Sequence, residues 1–249
     1  MKKLFIYTSI LSIVVLLIIS LEGFLKVSTY PIVKNIEKRR ILKYTRKYST
    51  LNTAHFLIKY KDEDKDIAGI TGEVLEEYYD EICNKLECFP KDKNIVIIYN
   101  SEDDFRNILK FKNKELPLGA YYCGTINIIS PNMLGDDGEN AGEIYRETGP
   151  HIHEFTHLLV DEKTKGNYPM WLTEGISLYM ENTIIGFSWD AGKGETSNIS
   201  IEELNNNFQG IREEVAYRKS FEIVRDIIDE YGFVGFNVLL DSLGNGKNI

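Results

Sequence analysis

The sequence predicts an α+β fold: a small N-terminal mixed sheet with helices, followed by a mostly helical half, with a cleft between the two. An N-terminal membrane segment precedes them. Three observations carry this prediction. Strand-like apolar runs fall before residue 130, whereas helical periodicity dominates beyond residue 150. Hydrophobic residues make up 43% of the 249, enough for a real core. Leu4 to Ser20 contains no charge and follows Lys2 and Lys3.

Seventeen uncharged residues lie at the lower edge of a membrane-spanning helix and at the long side of a signal-peptide core. No A-x-A-like site follows, so residues 1–21 read as an uncleaved signal anchor rather than a cleaved signal peptide. Residues 22–50 read as a basic juxtamembrane linker and residues 51–249 as the main domain. Within that domain a strand at Phe56–Tyr60 precedes an amphipathic helix from Asp66 to Leu86, on which Ile67, Ile70, Val74, Tyr78 and Ile82 recur at helical spacing. A strand at Ile95–Tyr99 and a short helix at Glu102–Leu109 follow, then a charged loop at Lys110–Pro117. Ala120–Cys123 and Thr125–Ile129 read as two short strands, and Pro131–Gly142 as a loop rich in Asn, Asp and Gly. A helix then runs past Pro150, either starting there or kinked there, because an internal proline removes a hydrogen bond and clashes with the preceding turn. The next helix covers Met170–Asn182, with Pro169 in its first turn. After a polar loop at Phe187–Ser200 come helices at Arg212–Tyr231 and Val234–Leu243.

His153-Glu154-Phe155-Thr156-His157 reads H-E-x-x-H. Residues four apart stack on one helix face, so both imidazoles can grip one zinc ion. Glu154 lies one residue along, where it reaches a water on the metal and acts as general base. With four histidines and 24 glutamates in the chain, shuffling would produce this pattern on the order of 0.01 times. A catalytic zinc takes three protein ligands and keeps an open position. Glu174, 17 residues after His157 and early in the next helix, supplies the third. His151 is about 200° round the helix from His153 and reads as solvated or as a supporting group, not a ligand. His55 reads as a strand residue with a satisfied ring.

H-E-x-x-H followed by Trp171-Leu172-Thr173-Glu174-Gly175 resembles the gluzincin zinc peptidases, most closely the bacterial peptidase MA-like domain family. The resemblance runs from about Leu51 to Leu243, through Ala54–Tyr60, Asn94–Tyr99 with Ser101–Phe105, Gly119–Tyr122 and Ile126–Ile129. It implies a zinc metallopeptidase domain holding one Zn2+ per chain on His153, His157 and Glu174, with Glu154 catalytic and a peptide or protein as substrate. It also implies a substrate-pairing sheet edge just before the zinc helix, a place that Ile126–Ser130 fits. Similar gluzincins take an oxyanion donor from a tyrosine on a later helix; Tyr217 stands at a comparable place, with Tyr168 and Tyr179 as rivals. The alternative function is a non-catalytic binding or sensor module on the same scaffold, which would have no use for Glu154.

Charge is divided. Residues 1–50 carry ten Lys/Arg against two Glu, a net of +8, and the remainder carries −17, giving the overall −9. The basic cluster Lys34, Lys38, Arg39, Arg40, Lys43, Arg46 and Lys47 suits anionic headgroups, and by the positive-inside rule it favours the cytoplasmic side. The short basic start before a Ser-containing apolar run favours export. The expected place is therefore the cell membrane, single-pass, with the domain outside; cytoplasmic-facing and secreted forms are the alternatives. Nucleic acid is not an expected partner, since the cluster lacks interleaved aromatics and the main domain is acidic. Cys83, Cys88 and Cys123 form no disulfide framework and read as small buried hydrophobes. The acidic stretches Asp62–Asp66 and Asp136–Glu139 lack EF-hand spacing and read as solvated charge. Substrate preference and oligomeric state are not legible.

Overall fold

The computed structural model describes residues 2–112, 115–134, 141–187 and 199–249, without the side chains of residues 2–22 and 134. A long helix, α1 (Lys2–Tyr44), leads into a five-stranded sheet: β1 (Ser49–Asn52), β2 (Phe56–Tyr60), β3 (Asn94–Tyr99), β4 (Gly119–Tyr122) and β5 (Thr125–Ile129). The sheet order is β1-β2-β3-β5-β4, with β2, β3 and β5 parallel and the two outer strands antiparallel. Helix α2 (Lys65–Leu86) makes the crossover from β2 to β3, and α3 (Glu102–Leu109) lies between β3 and the β4–β5 hairpin. Helices α4 (Ala141–Thr148), α5 (His151–Thr164), α6 (Met170–Ile185), α7 (Ile201–Asn207) and α8 (Glu213–Gly244) form the second half.

Side-chain alternation explains how the sheet joins the halves. Phe56, Ile58, Val96, Ile98, Ile126 and Ile128 face a core shared with α2, α5, α6 and α8. Ile95, Ile97, Tyr99 and Ile129 face the opposite side, closed by Phe105, Ile108 and Leu109 of α3 and Ile41 of α1. β3 is buried at all six positions, which is why it reads as an unbroken apolar run rather than an alternating one. Each fully buried Ile, Leu or Phe contributes about 1.5–3 kcal/mol of transfer free energy.

Several expectations change here. β5 is flanked by β3 and β4, so Ile126–Ser130 is not the sheet edge; the edge is β4. The reason is the hairpin: β5 takes the parallel place beside β3, so its antiparallel arm must lie outside. Residues 22–50, the basic stretch, take up regular structure. They are helical through Tyr44, and β1 pairs with β2 from Ser49 onward. The stretch from Asp62 to Asp66 is not loose solvated charge: Asp64 is buried, and its Oδ1 accepts from Ser130 Oγ at 2.5 Å and Asn132 Nδ2 at 3.1 Å. Helix α8 joins the two expected C-terminal helices across a break at Gly232, whose φ is 66° and ψ 178°. Asp136–Glu139 and most of the Phe187–Ser200 stretch lie outside the described residues. Among the described residues no helix is long and apolar enough to cross a membrane; the uncharged run Leu4–Ser20 falls where side chains are not described.

Helices α6 and α8 approach closely at Gly175. A Cβ there would come within 2.4 Å of the Ser220 carbonyl oxygen, and backbone cannot easily give way. Gly175→Ala should therefore destabilise the fold by about 1–3 kcal/mol, as core overpacking does. A shifted urea midpoint at unchanged slope would register this, and an unchanged midpoint would mean that the two helices separate freely.

Candidate active site

Pro150 settles the start of α5. The chain closes α4 at Thr148, and Pro150 occupies the N-cap position before His151. Proline fits there because it breaks no internal hydrogen bond. The helix is thus two helices with a turn, rather than one kinked helix. His153 and His157 fall on successive turns of α5, with ring centroids 4.7 Å apart. Helix α6 begins after Pro169 and brings Glu174 against the same face. Glu174 Oε2 lies 3.2 Å from His153 Nε2 and 3.6 Å from His157 Nε2. One ligand atom from each of the three residues fits within 4.8 Å of the others, and all three are buried or nearly so. Two imidazole nitrogens and a carboxylate form a donor set suited to zinc.

The other ring nitrogens have their own partners. His153 Nδ1 lies 3.0 Å from Glu181 Oε2. His157 Nδ1 lies 2.5 Å from Thr173 Oγ1 and 3.3 Å from Ser177 Oγ, and the Ser177 hydroxyl donates to the His153 carbonyl oxygen at 3.2 Å. With Nδ1–H donating on that side, an ion that displaced the Nε2 protons would find both Nε2 atoms facing it, the arrangement that metal-binding histidines use. Glu181, Thr173 and Ser177 were not picked out from the sequence. The signal was present: Glu174 and Glu181 are seven apart, two turns along one face of α6, and Thr173 and Ser177 are four apart.

Electrostatics follow from burial. The Glu154 carboxyl is pushed above the usual carboxylate range by burial, partly offset by His157 and His153. It accepts from the Tyr121 backbone N–H, and its Oε2 is buried with no hydrogen-bond partner among the described residues. Burial also opposes charge on Glu174, but His157 and His153 outweigh it and hold that carboxyl well below the usual range. Glu154 lies against β4: a Cβ on Gly119 would come within 2.8 Å of Glu154 Cγ.

Tyr217, near the start of α8, has its hydroxyl pKa raised first by burial and then by Glu174, with which it also hydrogen-bonds. Its ring packs beside Phe208. Tyr168 instead points its hydroxyl at Asp161, at 3.5 Å. Tyr179 packs its ring with Phe221 and Phe233 and senses Asp229. The structure therefore brings Tyr217 to Glu174 and leaves Tyr179 apart. His151 is not solvated. It is 1% exposed and edge-on to Tyr145, and burial lowers its pKa to about 4; it is outside the three-residue group. His55 pairs with Glu76 at 2.6 Å and stacks on Tyr79. All three cysteines are free; Cys83 is buried, while Cys88 and Cys123 are half-buried.

Residues 89–249 match the sequence model of a family described as the Peptidase MA superfamily. The match covers β3, the hairpin and the whole helical half, and stops short of α1, β1, β2 and α2. No curated protein matches the chain.

Removing the group that holds His153 from behind tests this arrangement. Glu181→Gln keeps the shape but loses the charge that favours a donating Nδ1–H, so metal affinity should fall about 10–100-fold. Competition with a chromophoric chelator reads this directly. An affinity equal to wild type would mean that Glu181 does not orient the ring.

Proposed function

Because the chain belongs to the Peptidase MA superfamily, we propose that it is a membrane-anchored, zinc-dependent endopeptidase of the gluzincin type. The observation that carries this reading is the convergence of His153 Nε2, His157 Nε2 and the Glu174 carboxylate on one point, beside a buried Glu154 oxygen that lacks a partner among the described residues. His153, His157 and Glu174 would hold the ion, one per chain. When bound, zinc supplies Lewis acidity, polarising a substrate carbonyl and acidifying a water.

The chain's own residues supply the rest. Glu154 accepts the proton of the attacking water and returns it to the departing amine. Its raised affinity for a proton suits both tasks, since a general acid–base works best with a pKa near the operating pH. The Tyr121 N–H keeps its carboxylate in place. Tyr217, whose hydroxyl stays protonated in this buried acidic setting, donates to the oxygen on which negative charge develops. The free edge of β4 runs beside Glu154, so an extended peptide added there would lie along the site. The apolar run Leu4–Ser20 would hold the chain at a membrane, with the domain outside the cytoplasm.

The alternative, a binding module on the same scaffold, leaves the buried acid unexplained. Burying a carboxyl without full hydrogen bonding is costly, and binding alone does not require it.

Glu154→Gln decides between the two readings. The variant should keep stoichiometric zinc and an unchanged melting temperature while losing nearly all cleavage of a broad peptide library. Glu174→Ala should lose the zinc itself. Wild-type turnover in Glu154→Gln would remove the general base. Wild-type affinity for zinc in Glu174→Ala would remove the third ligand.

Tyr217→Phe should lower kcat by about two orders of magnitude, the usual worth of one oxyanion donor, with little change in KM or zinc content. An unchanged kcat would make Tyr217 a packing residue.

A further inference from the structure

Asp161 lies one helical turn beyond His157 and is fully buried. Four side chains from three other parts of the chain converge on it. Tyr30 of α1 donates its hydroxyl to Oδ1 at 2.5 Å, and Lys34 of α1 reaches Oδ2 at 2.6 Å. Tyr121 of β4 donates to Oδ2 at 2.7 Å, and Tyr168, just before α6, approaches Oδ1 at 3.5 Å. These segments frame the site: the Tyr121 backbone N–H is held by Glu154, and Tyr168 precedes the helix of Glu174.

The seating of α1 is a second, independent observation. The Tyr30 ring lies over Gly166, in the turn between α5 and α6, where a Cβ would sit 2.6 Å from the ring carbons. Lys34 lies over Gly124, in the β4–β5 turn, where a Cβ would sit 2.9 Å from Cε. Both glycines have positive φ, +73° and +81°. The helix thus rests on the two turns adjoining the site elements, and Ile41, further along it, is fully buried.

From this geometry we infer that α1 is part of the catalytic unit: Tyr30 and Lys34 are positioning residues that lock Asp161 and so fix α5, β4 and the α6 approach relative to one another. The inference rests on the peptidase reading for its functional meaning. A buried carboxylate needs a compensating cation, and Lys34 is its ion-pair partner among the described residues. The family match begins at residue 89, so this chain carries the clamp on a segment beyond the matched region.

The test uses the full-length chain in detergent micelles and the variants Tyr30→Phe, Lys34→Met, Lys34→Arg and Glu162→Gln. Glu162 binds the same lysine at the surface and serves as a control. Tyr30→Phe and Lys34→Met should release zinc to a chelator about tenfold faster. In both, kcat should fall with KM nearly unchanged, and amide exchange across residues 119–122 should rise. Lys34→Arg should restore most of each loss, and Glu162→Gln should match wild type. If Lys34→Met does not fold, Tyr30→Phe, which deletes one oxygen, decides. Wild-type zinc release, kcat and exchange in Tyr30→Phe, with a folded Lys34→Met showing the same, would reduce α1 to a tether. Amide exchange needs neither metal nor turnover, so an inactive wild type would overturn the peptidase reading while leaving this inference decided.

Discussion

Two imidazoles and a carboxylate converge on one buried point, and much of the surrounding local structure follows from that convergence. His153 and His157 are four apart because one helix face offers neighbours at that spacing. Pro150 fixes where that helix starts, and Gly175 lets α6 approach α8 closely enough to bury Glu174. Burying this much charge would be prohibitive for isolated groups. Here Glu174 and Glu181 lie within 3.0–3.6 Å of the two imidazoles, which compensate the carboxylates when protonated or when they share a bound cation. A proton and a metal ion compete for Nε2, so the partners that hold Nδ1–H, Glu181 and Thr173, would tune the affinity of the proposed site.

Much of this was legible in the sequence because it rests on local periodicity. The H-E-x-x-H spacing and the apolar runs of β2, β3 and β5 are properties of short segments. What escaped depends on contacts distant in sequence. The identity of the edge strand is decided by how a hairpin adds to β3, which neither arm of the hairpin encodes alone. His151 reads as solvated or supporting because its helix angle points away from His153, and in the fold the face it points to is covered by Tyr145 from α4. Asp64 appeared to be one of a solvated acidic run, yet Ser130 and Asn132, more than 60 residues later, close over it.

The basic stretch after the apolar run is the largest change in meaning. Read alone, it is a cluster for anionic headgroups. In the fold, Lys34 pairs with Asp161 and Glu162, and Arg40 bonds Glu37 and the Ile108 carbonyl. Lys38 is packed with burial lowering its pKa, near Glu162 and Asp92. Part of the +8 of residues 1–50 is therefore turned toward the acidic main domain rather than outward. Such pairing weakens the argument that this cluster by itself must keep the domain in the cytoplasm, and it seats the basic stretch as a helix against the main domain.

The proposed chemistry depends above all on the identity of the metal donors. X-ray absorption at the zinc edge of the purified full-length protein reads them directly. One zinc per chain is expected, with nitrogen and oxygen scatterers at about 2.0–2.2 Å, including the outer-shell signature of two imidazoles. Sulfur scatterers at about 2.3 Å would place the ion on the free cysteines instead and would contradict it.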